Sequence, residues 1–218
     1  MSVKEELVKV CHLVYKNKFV AAYDGNISAR TENNTILITR SGICKCEVTA
    51  DDIIETDFDG HRISGKGNIS TENKLHFFIY KNRKDAKAVV HCHPVYATAL
   101  GLIEENFLAH YFPEVLLTLG KIPVCRYATP STSEVTDSIE RYLADSNAFI
   151  LQNHGAVTIG NSVMDAYYKM EKLEHTAKTI LAARAIGNPR TLTEKNIRDL
   201  LSISESTYGI KSDINKIL

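Results

Sequence analysis

Two histidines near the middle of the chain have the spacing of metal ligands. His91 and His93 lie in His91-Cys92-His93-Pro94, at the end of an apolar run that is typical of a β-strand. In a strand, residues i and i+2 project from the same face with Cα atoms roughly 6–7 Å apart, so two imidazoles can converge on one ion. Pro94 ends the strand and places the pair at a sheet edge. We predict a metal site there, although two separately packed histidines would give the same pattern.

Two further residues carry groups that suit the same ion. His154 ends a second predicted strand, and Gly155 beside it allows close approach of the backbone. Glu72 begins a predicted helix, directly after the hydroxyls of Ser70 and Thr71. Three histidines and one carboxylate suit zinc, and a site with an exchangeable fourth ligand is open to substrate. Taken singly, Glu72 could instead interact with the helix dipole, and His154 could be a satisfied core histidine.

The elements around these residues alternate between strands and helices without a regular βαβ pattern. We predict strands over 26–30, 35–40, 52–57, 86–93, 123–127, 148–154 and 156–160. We predict helices over 4–16, 72–82, 95–102, 132–145, 163–185 and 193–201, followed by a tail that carries Tyr208. Several strands are joined by short turns and form hairpins. The prediction is an α/β fold of one domain, residues 1–218, with three α/β/α layers around a mixed, mostly antiparallel sheet.

Composition excludes several classes of protein. The 218 residues include 26 basic and 26 acidic side chains, so no basic excess is present to hold nucleic acid. The chain is 44% hydrophobic, as in ordinary globular proteins, and no apolar run approaches the ~20 residues that cross a membrane. Five cysteines without a disulfide pattern, and an amino end without a secretory segment, predict a cytoplasmic protein.

Five short motifs, in this order and spacing, resemble the class II aldolase/adducin family. They are Gly25-Asn26-Ile27-Ser28-Ala29-Arg30, Thr39-x-Ser41-Gly42, Ser70-Thr71-Glu72, His91-x-His93-Pro94 and Gln152-Asn153-His154-Gly155. Within the family, the motifs are most similar to those of members that cleave L-fuculose 1-phosphate. The chain departs from the family pattern at Tyr23-Asp24, before Gly25, and at Arg40, where many members have proline.

The resemblance implies a role for each matching residue. His91, His93 and His154 would hold one zinc ion per subunit, and Glu72 would be the acid–base carboxylate that also ligates zinc when no substrate is bound. Tyr111 and Tyr208 would be further catalytic residues that act at the C4 oxygen of the substrate. A phosphate pocket would be formed by Gly25, Asn26, Ser41, Gly42, Ser70 and Thr71.

The implied activity is zinc-dependent, reversible cleavage of a ketose 1-phosphate to dihydroxyacetone phosphate and a short aldehyde such as lactaldehyde. The implied assembly is a homotetramer with its active sites at subunit boundaries. Related activities stay open: methylthioribulose-1-phosphate dehydratase, pentulose-phosphate 4-epimerase, or a non-enzymatic, adducin-like binding module. The epimerases typically have aspartate at the position of Glu72, and a binding module has no use for an open metal site.

Overall fold

One eight-stranded sheet organises the part of the chain that the computed structural model describes, residues 1–103 and 109–208. Its strands follow the order β4-β3-β2-β1-β5-β8-β7-β6, and each neighbouring pair is antiparallel except β6 and β7. This confirms the predicted mixed, mostly antiparallel sheet. The strands are β1 (Asn26–Arg30), β2 (Ile36–Thr39), β3 (Ile53–Thr56), β4 (Arg62–Ser64), β5 (Ala88–Cys92), β6 (Val124–Cys125), β7 (Ala148–Leu151) and β8 (Gly155–Gly160).

Helices cover both faces of the sheet. They are α1 (Val3–Lys16), α2 (Asn73–Asn82), α3 (Val95–Leu102), α4 (Pro113–Leu119), α5 (Glu134–Glu140), α6 (Val163–Ile186) and α7 (Glu194–Tyr208), with short 3-10 turns at Ala50–Asp52 and Ala109–Tyr111. Alternate strand residues project from opposite faces of the sheet and belong to two hydrophobic clusters. Val90 and Cys92 pack toward α1, α3, α4 and α6, whereas Val89 packs toward α2 and α5. The predicted three layers are therefore confirmed. None of the helices in the described residues is long and apolar enough to span a membrane.

Four elements differ from the sequence prediction, and one of them is helix α4, which was not predicted. Helix α7 continues to Tyr208 instead of ending near Leu201, because Ile197 and Leu201 pack beside Leu116 and Ser204 is fully buried. The stretch that follows Leu201 is polar, so its sequence carries no apolar signal for a helix. Strand β4 was not predicted because all three of its residues are exposed. Helix α5 is shorter than the predicted 132–145, and its N-cap is Ser133.

Strand pairing brings distant motifs to one edge of the sheet. Asn26 of β1 lies opposite His91 of β5, and His91 lies opposite Val157 of β8. His91 shares a face with Val89, toward α2. The start of β1, the end of β5 and the start of β8 therefore meet beside the N-terminus of α2.

Candidate active site

Three histidine rings converge where β5 ends and β8 begins. The ring centroids of His91, His93 and His154 lie 4.8 to 5.1 Å apart in pairs, and the Nε2 atoms of His91 and His93 lie 3.3 Å apart. One ligand nitrogen from each ring lies within 4.8 Å of the others. A tetrahedral ion with bonds of ~2.0–2.1 Å places its ligand nitrogens ~3.3 Å apart. The three rings thus fit a metal ion with only small movements.

Glu72 contributes a carboxylate to the same place. It is the N-cap residue of α2, which begins at Asn73, one position after the predicted start at Glu72, and its Oε1 lies 3.0 Å from Nε2 of His154. Its Oε2 lies 3.3 Å from Nε2 of His91. Burial alone would raise the pKa of the Glu72 carboxyl, but hydrogen bonds from His154 and His91 outweigh burial and hold this pKa well below its ordinary range. An ionised carboxylate here can ligate a cation or accept a proton.

A cleft of about 270 Å³ adjoins this cluster. It is lined by Glu72, His93 and His154, and the hydroxyl, amide and glycine groups around it are chemically suited to hydrogen bond an anion. The structure brings to this one cleft every residue of the predicted phosphate pocket: Gly25, Asn26, Ser41, Gly42, Ser70 and Thr71.

The cleft also contains two basic residues. Arg40 was singled out in the sequence, and its Nε donates to Asp52 over 2.6 Å. Lys45 was missed, since a lysine between two cysteines carries no motif of its own. Lys45 is 1% exposed and donates to the carbonyl oxygens of Tyr23 and Ile43, at 3.3 and 3.1 Å. No carboxylate of the described residues forms an ion pair with it, but Asp24 lines the same cleft, and burial lowers the pKa of the Lys45 ammonium group.

The family model described as Class II Aldolase and Adducin N-terminal domain matches residues 5–181 of the chain. The chain belongs to the class II aldolase/adducin family. Relatives with two different activities are similar to it. L-fuculose phosphate aldolase of Methanococcus maripaludis is 35% identical over 173 residues, which are 79% of this chain and 93% of the relative. The 3-oxo-tetronate 4-phosphate decarboxylase of Escherichia coli K12 is 32% identical over 207 residues, 92% of this chain and 96% of the relative.

Solved structures of this family have the same fold. YgbL from Escherichia coli superposes with a TM-score of 0.85 and 29% identity over 90% of this chain and 96% of its own. An L-fuculose 1-phosphate aldolase superposes with a TM-score of 0.83 and 28% identity over 91% of this chain and 93% of its own. Class II aldolases are metal-dependent, in agreement with the three histidines that can hold a metal ion here.

Two glycines of this class II aldolase/adducin protein let its backbone close around the candidate metal site. Gly25 has φ +74°, and a Cβ there would lie 2.7 Å from the carbonyl oxygen of His91. A Cβ on Gly155 would lie 2.5 Å from both the carbonyl oxygen of Cys92 and the ring of His93. Side chains at these positions would push apart the segments that carry the histidines.

The structure does not bring Tyr111, one of the two predicted tyrosines, to the cleft. Tyr111 ends the 3-10 turn Ala109–Tyr111 and packs, half-buried, against the cluster beneath α1, α3, α4 and α6. It is absent from the residues that line the cleft. Tyr208 is the last residue of α7, and its side chain lies outside the described residues. Their catalytic roles stay predictions.

On the outer side of the rings, His91 forms a hydrogen bond, and His93 has a carboxylate nearby. Nδ1 of His91 lies 3.0 Å from the carbonyl oxygen of Ala156 and donates to it, so Nε2 points into the site, toward Glu72. Nδ1 of His93 lies 3.7 Å from Oδ2 of Asp24. Burial, with the nearby His91 and His154, lowers the pKa of His93 to about 3. His93 is therefore neutral at ordinary pH, as a metal ligand must be.

Asp24 lies where the chain departs from the family pattern, and its contact with His93 predicts an effect on metal affinity. We expect Asp24→Asn to weaken metal binding about tenfold, because outer carboxylates orient ligating histidines and raise their basicity. Competition with a fluorescent chelator measures the affinity. Asp59→Asn is the matched control, since Asp59 is exposed and pairs with Lys81. Equal affinities for the Asp24 variant and the wild type would exclude this role.

A fourth histidine, His76 of α2, is fully buried behind the site. Burial, with a smaller contribution from His91, lowers its pKa to about 3, while Glu72 acts weakly in the opposite direction. The unfolded chain takes up this proton near pH 6.5, whereas the folded protein does so only near pH 3. The free energy of unfolding should therefore fall as the pH decreases from 6.5 to 5. The slope is at most about 1.4 kcal/mol per pH unit for each such histidine.

Urea unfolding of chelated protein at pH 6.5 and pH 5 measures this slope. His93 adds a similar contribution in the metal-free protein, since its pKa is also lowered to about 3. His76→Gln should reduce the slope by up to about 1.4 kcal/mol per pH unit, and His175→Gln, at an exposed histidine of α6, should not. Identical slopes in the wild type and the His76 variant would contradict the prediction.

Proposed function

We propose that this protein is a zinc-dependent aldolase that reversibly cleaves a ketose 1-phosphate of the L-fuculose 1-phosphate type. Its products would be dihydroxyacetone phosphate and a short aldehyde such as lactaldehyde. The observation that carries this proposal is one cleft with two halves: three convergent histidines with a carboxylate on one side, and hydroxyl and amide donors on the other. A phosphorylated hydroxyketone presents matching groups, with its carbonyl and hydroxyl at one end and its phosphate at the other.

His91, His93 and His154 would hold one zinc ion per subunit, and Glu72 would supply the fourth ligand until substrate displaces it. The donor set of three nitrogens and one oxygen supports zinc. Zinc would supply a Lewis acid for the substrate carbonyl and for the negative charge that develops when the C3–C4 bond breaks.

The phosphate would lie among the loops at the other side of the cleft. The Asn26 amide and the Ser41, Ser70 and Thr71 hydroxyls supply hydrogen-bond donors there, and Lys45 supplies charge. The phosphate would also lie near the positive end of the α2 dipole, which begins beside Ser70 and Thr71. Gly25 and Gly42, both at positive φ, leave the backbone accessible.

Cleavage requires two proton transfers. A base removes the proton of the C4 hydroxyl, the electrons of the C3–C4 bond move to C3, and Glu72 would deliver a proton to C3. We assign Tyr111 and Tyr208 to the C4 oxygen. Tyr111 lies outside the cleft of its own chain, so its assignment requires that a second copy of the chain presents Tyr111 to the cleft. A homotetramer with active sites at subunit boundaries would provide this arrangement.

Decarboxylation of a 3-oxo acid phosphate is the second candidate. It is favoured by the coverage of the decarboxylase relative, which matches 92% of this chain against 79% for the aldolase relative. Loss of carbon dioxide from 3-oxo-tetronate 4-phosphate leaves an electron pair on the carbon beside the ketone, and a proton from Glu72 would complete dihydroxyacetone phosphate. No hydroxyl proton has to be removed, so this reaction needs no tyrosine in the cleft.

The two reactions share one product and differ in the other. Zinc-loaded protein is incubated with L-fuculose 1-phosphate or with 3-oxo-tetronate 4-phosphate, and dihydroxyacetone phosphate, aldehyde and carbon dioxide are measured with and without chelator. We expect chelator-sensitive aldehyde release. Carbon dioxide release alone would replace the aldolase by the decarboxylase, and no product from either substrate would overturn both.

Two further properties complete the proposal. We propose that residues 1–218 form one domain and that the enzyme acts in the cytoplasm. All five cysteines are free thiols, which a reducing compartment maintains.

A further inference from the structure

A strand and a helix place a row of polar side chains face to face behind the cleft. Asn26 and Ser28 project from the same face of β1, at the two-residue period of a strand. Glu72, His76 and Tyr80 follow one another along α2 at intervals of four residues, on one helix face. Apart from Glu72, these side chains are at most 1% exposed.

Hydrogen bonds join these side chains into one chain. The Tyr80 hydroxyl lies 2.8 Å from Oγ of Ser28, which lies 2.6 Å from Nδ1 of His76. Nε2 of His76 contacts Oδ1 of Asn26. The Nδ2 group of Asn26 then donates to Oε2 of Glu72 over 3.2 Å, and also to Oγ of Ser70 over 2.9 Å.

The donor and acceptor of each hydrogen bond can be assigned by starting from Glu72, at one end of the row. Ionised Glu72 only accepts, so Asn26 must turn its NH₂ group toward Glu72 and its Oδ1 toward His76. Nε2 of His76 must then donate. Burial keeps the His76 ring neutral, so its Nδ1 accepts from the Ser28 hydroxyl, which in turn accepts from Tyr80. No alternative arrangement satisfies all the groups.

We infer that His76 is a positioning residue that locks the Asn26 amide with both N–H bonds directed at Glu72 and the phosphate side of the cleft. This inference rests on the proposed function, in which the cleft takes a phosphorylated substrate. Without the His76 donor, Oδ1 of Asn26 loses its buried partner, and the amide is held only by its contacts with Glu72 and Ser70, at 3.2 and 2.9 Å. The plane of the amide would then be less strictly fixed, and its two N–H bonds would be aimed less accurately at Glu72 and at the phosphate side of the cleft.

The chain of hydrogen bonds orients groups and does not conduct protons to solvent. Its far end, the Tyr80 hydroxyl, is buried, and burial raises the pKa of Tyr80 well above its ordinary value. A proton passed along the chain would have no exit. The expected effect of breaking the chain is therefore on binding and on the orientation of Glu72.

Substitutions that differ in one donor test the inference. His76→Leu removes both ring nitrogens, whereas His76→Gln keeps an N–H group that can reach Oδ1 of Asn26. We expect His76→Leu to weaken binding of inorganic phosphate to the zinc-loaded protein, and to lower kcat/KM, by about ten- to a hundredfold. We expect His76→Gln to retain most of the phosphate affinity and most of kcat/KM. Zinc content should be the same in both variants as in the wild type. His61→Leu is the control at an exposed histidine.

A double-variant cycle distinguishes an effect of His76 on the orientation of Asn26 from an effect on the stability of the fold. In an Asn26→Ala background, His76→Leu should still lower the unfolding temperature but should no longer change phosphate affinity. If His76→Leu does not fold, Ser28→Ala tests the same chain, because it removes the donor to Nδ1 that selects the His76 tautomer.

Two results would overturn the inference: equal losses in His76→Leu and His76→Gln, or additive losses of phosphate affinity in the double variant. Phosphate binding is measured without turnover, so the result stands apart from the proposed reaction. A protein that cleaves neither substrate, yet shows the expected pattern in phosphate affinity, would refute the proposed function and keep the role of His76.

Discussion

His93→Ala is expected to abolish bound zinc and turnover together. His93 supplies one of the three convergent nitrogens, and its Nε2 lies 3.3 Å from that of His91. The binding free energy of a four-ligand zinc site amounts to roughly 3 kcal/mol per ligand. Loss of one imidazole should therefore weaken zinc binding by a factor of about one hundred. The two remaining histidines and Glu72 would not retain the ion through dialysis.

Zinc content after dialysis, kcat and the unfolding temperature of the apo forms are measured on the same preparation. His175→Ala is a suitable control, because His175 is an exposed histidine of α6. A His93→Ala protein that keeps stoichiometric zinc and full turnover would remove His93 from the metal site. Loss of zinc with unchanged turnover would instead show that the reaction does not use this site.

Glu72→Gln is expected to retain zinc and phosphate binding but to reduce kcat by about 10²- to 10⁴-fold. Glutamine keeps the size of the side chain and an oxygen that can face the Asn26 amide. It loses the negative charge that His154 and His91 now stabilise, and it cannot carry a proton to carbon. Because the three histidines remain, metal content should stay near that of the wild type.

Dihydroxyacetone phosphate itself provides a sharp measurement of this role. It is the product of both candidate reactions, so exchange of its C3 hydrogen with deuterated water isolates the proton transfer assigned to Glu72. The wild type should catalyse this exchange, and Glu72→Gln should not. Glu114→Gln, at an exposed position in the first turn of α4, controls for the substitution. Exchange at the wild-type rate in Glu72→Gln would show that Glu72 does not transfer this proton.

Local sequence patterns predicted seven of the eight strands and the histidines that converge in the cleft, whereas the residues of the phosphate pocket were predicted only through the family resemblance. The two-residue spacing of His91 and His93 after an apolar run, and the hydroxyls before Glu72, were local signals that the structure brings together. The predicted family and fold class were confirmed. The roles of individual site residues stay predictions until the variants are measured.

Contacts that depend on tertiary packing could not be predicted. Lys45 lies in the cleft only because the loops around Tyr23 and Ile43 meet over its ammonium group. His76 sits four residues after Glu72, which indicates a shared helix face, but its contact with Asn26 depends on how α2 packs against β1. Strand β4 is exposed on both faces, so its residues follow no apolar alternation.

The proposed ligands come from three separate parts of the chain: the start of α2, the end of β5 and the segment before β8. An ion held by all three would act as a cross-link that closes the chain from 72 to 91 and again from 93 to 154. Such closure restricts the unfolded chain, and an ion that binds only the folded form adds stability in proportion to the logarithm of its concentration. With zinc held as proposed, the free zinc level would govern the lifetime of the protein as well as its activity.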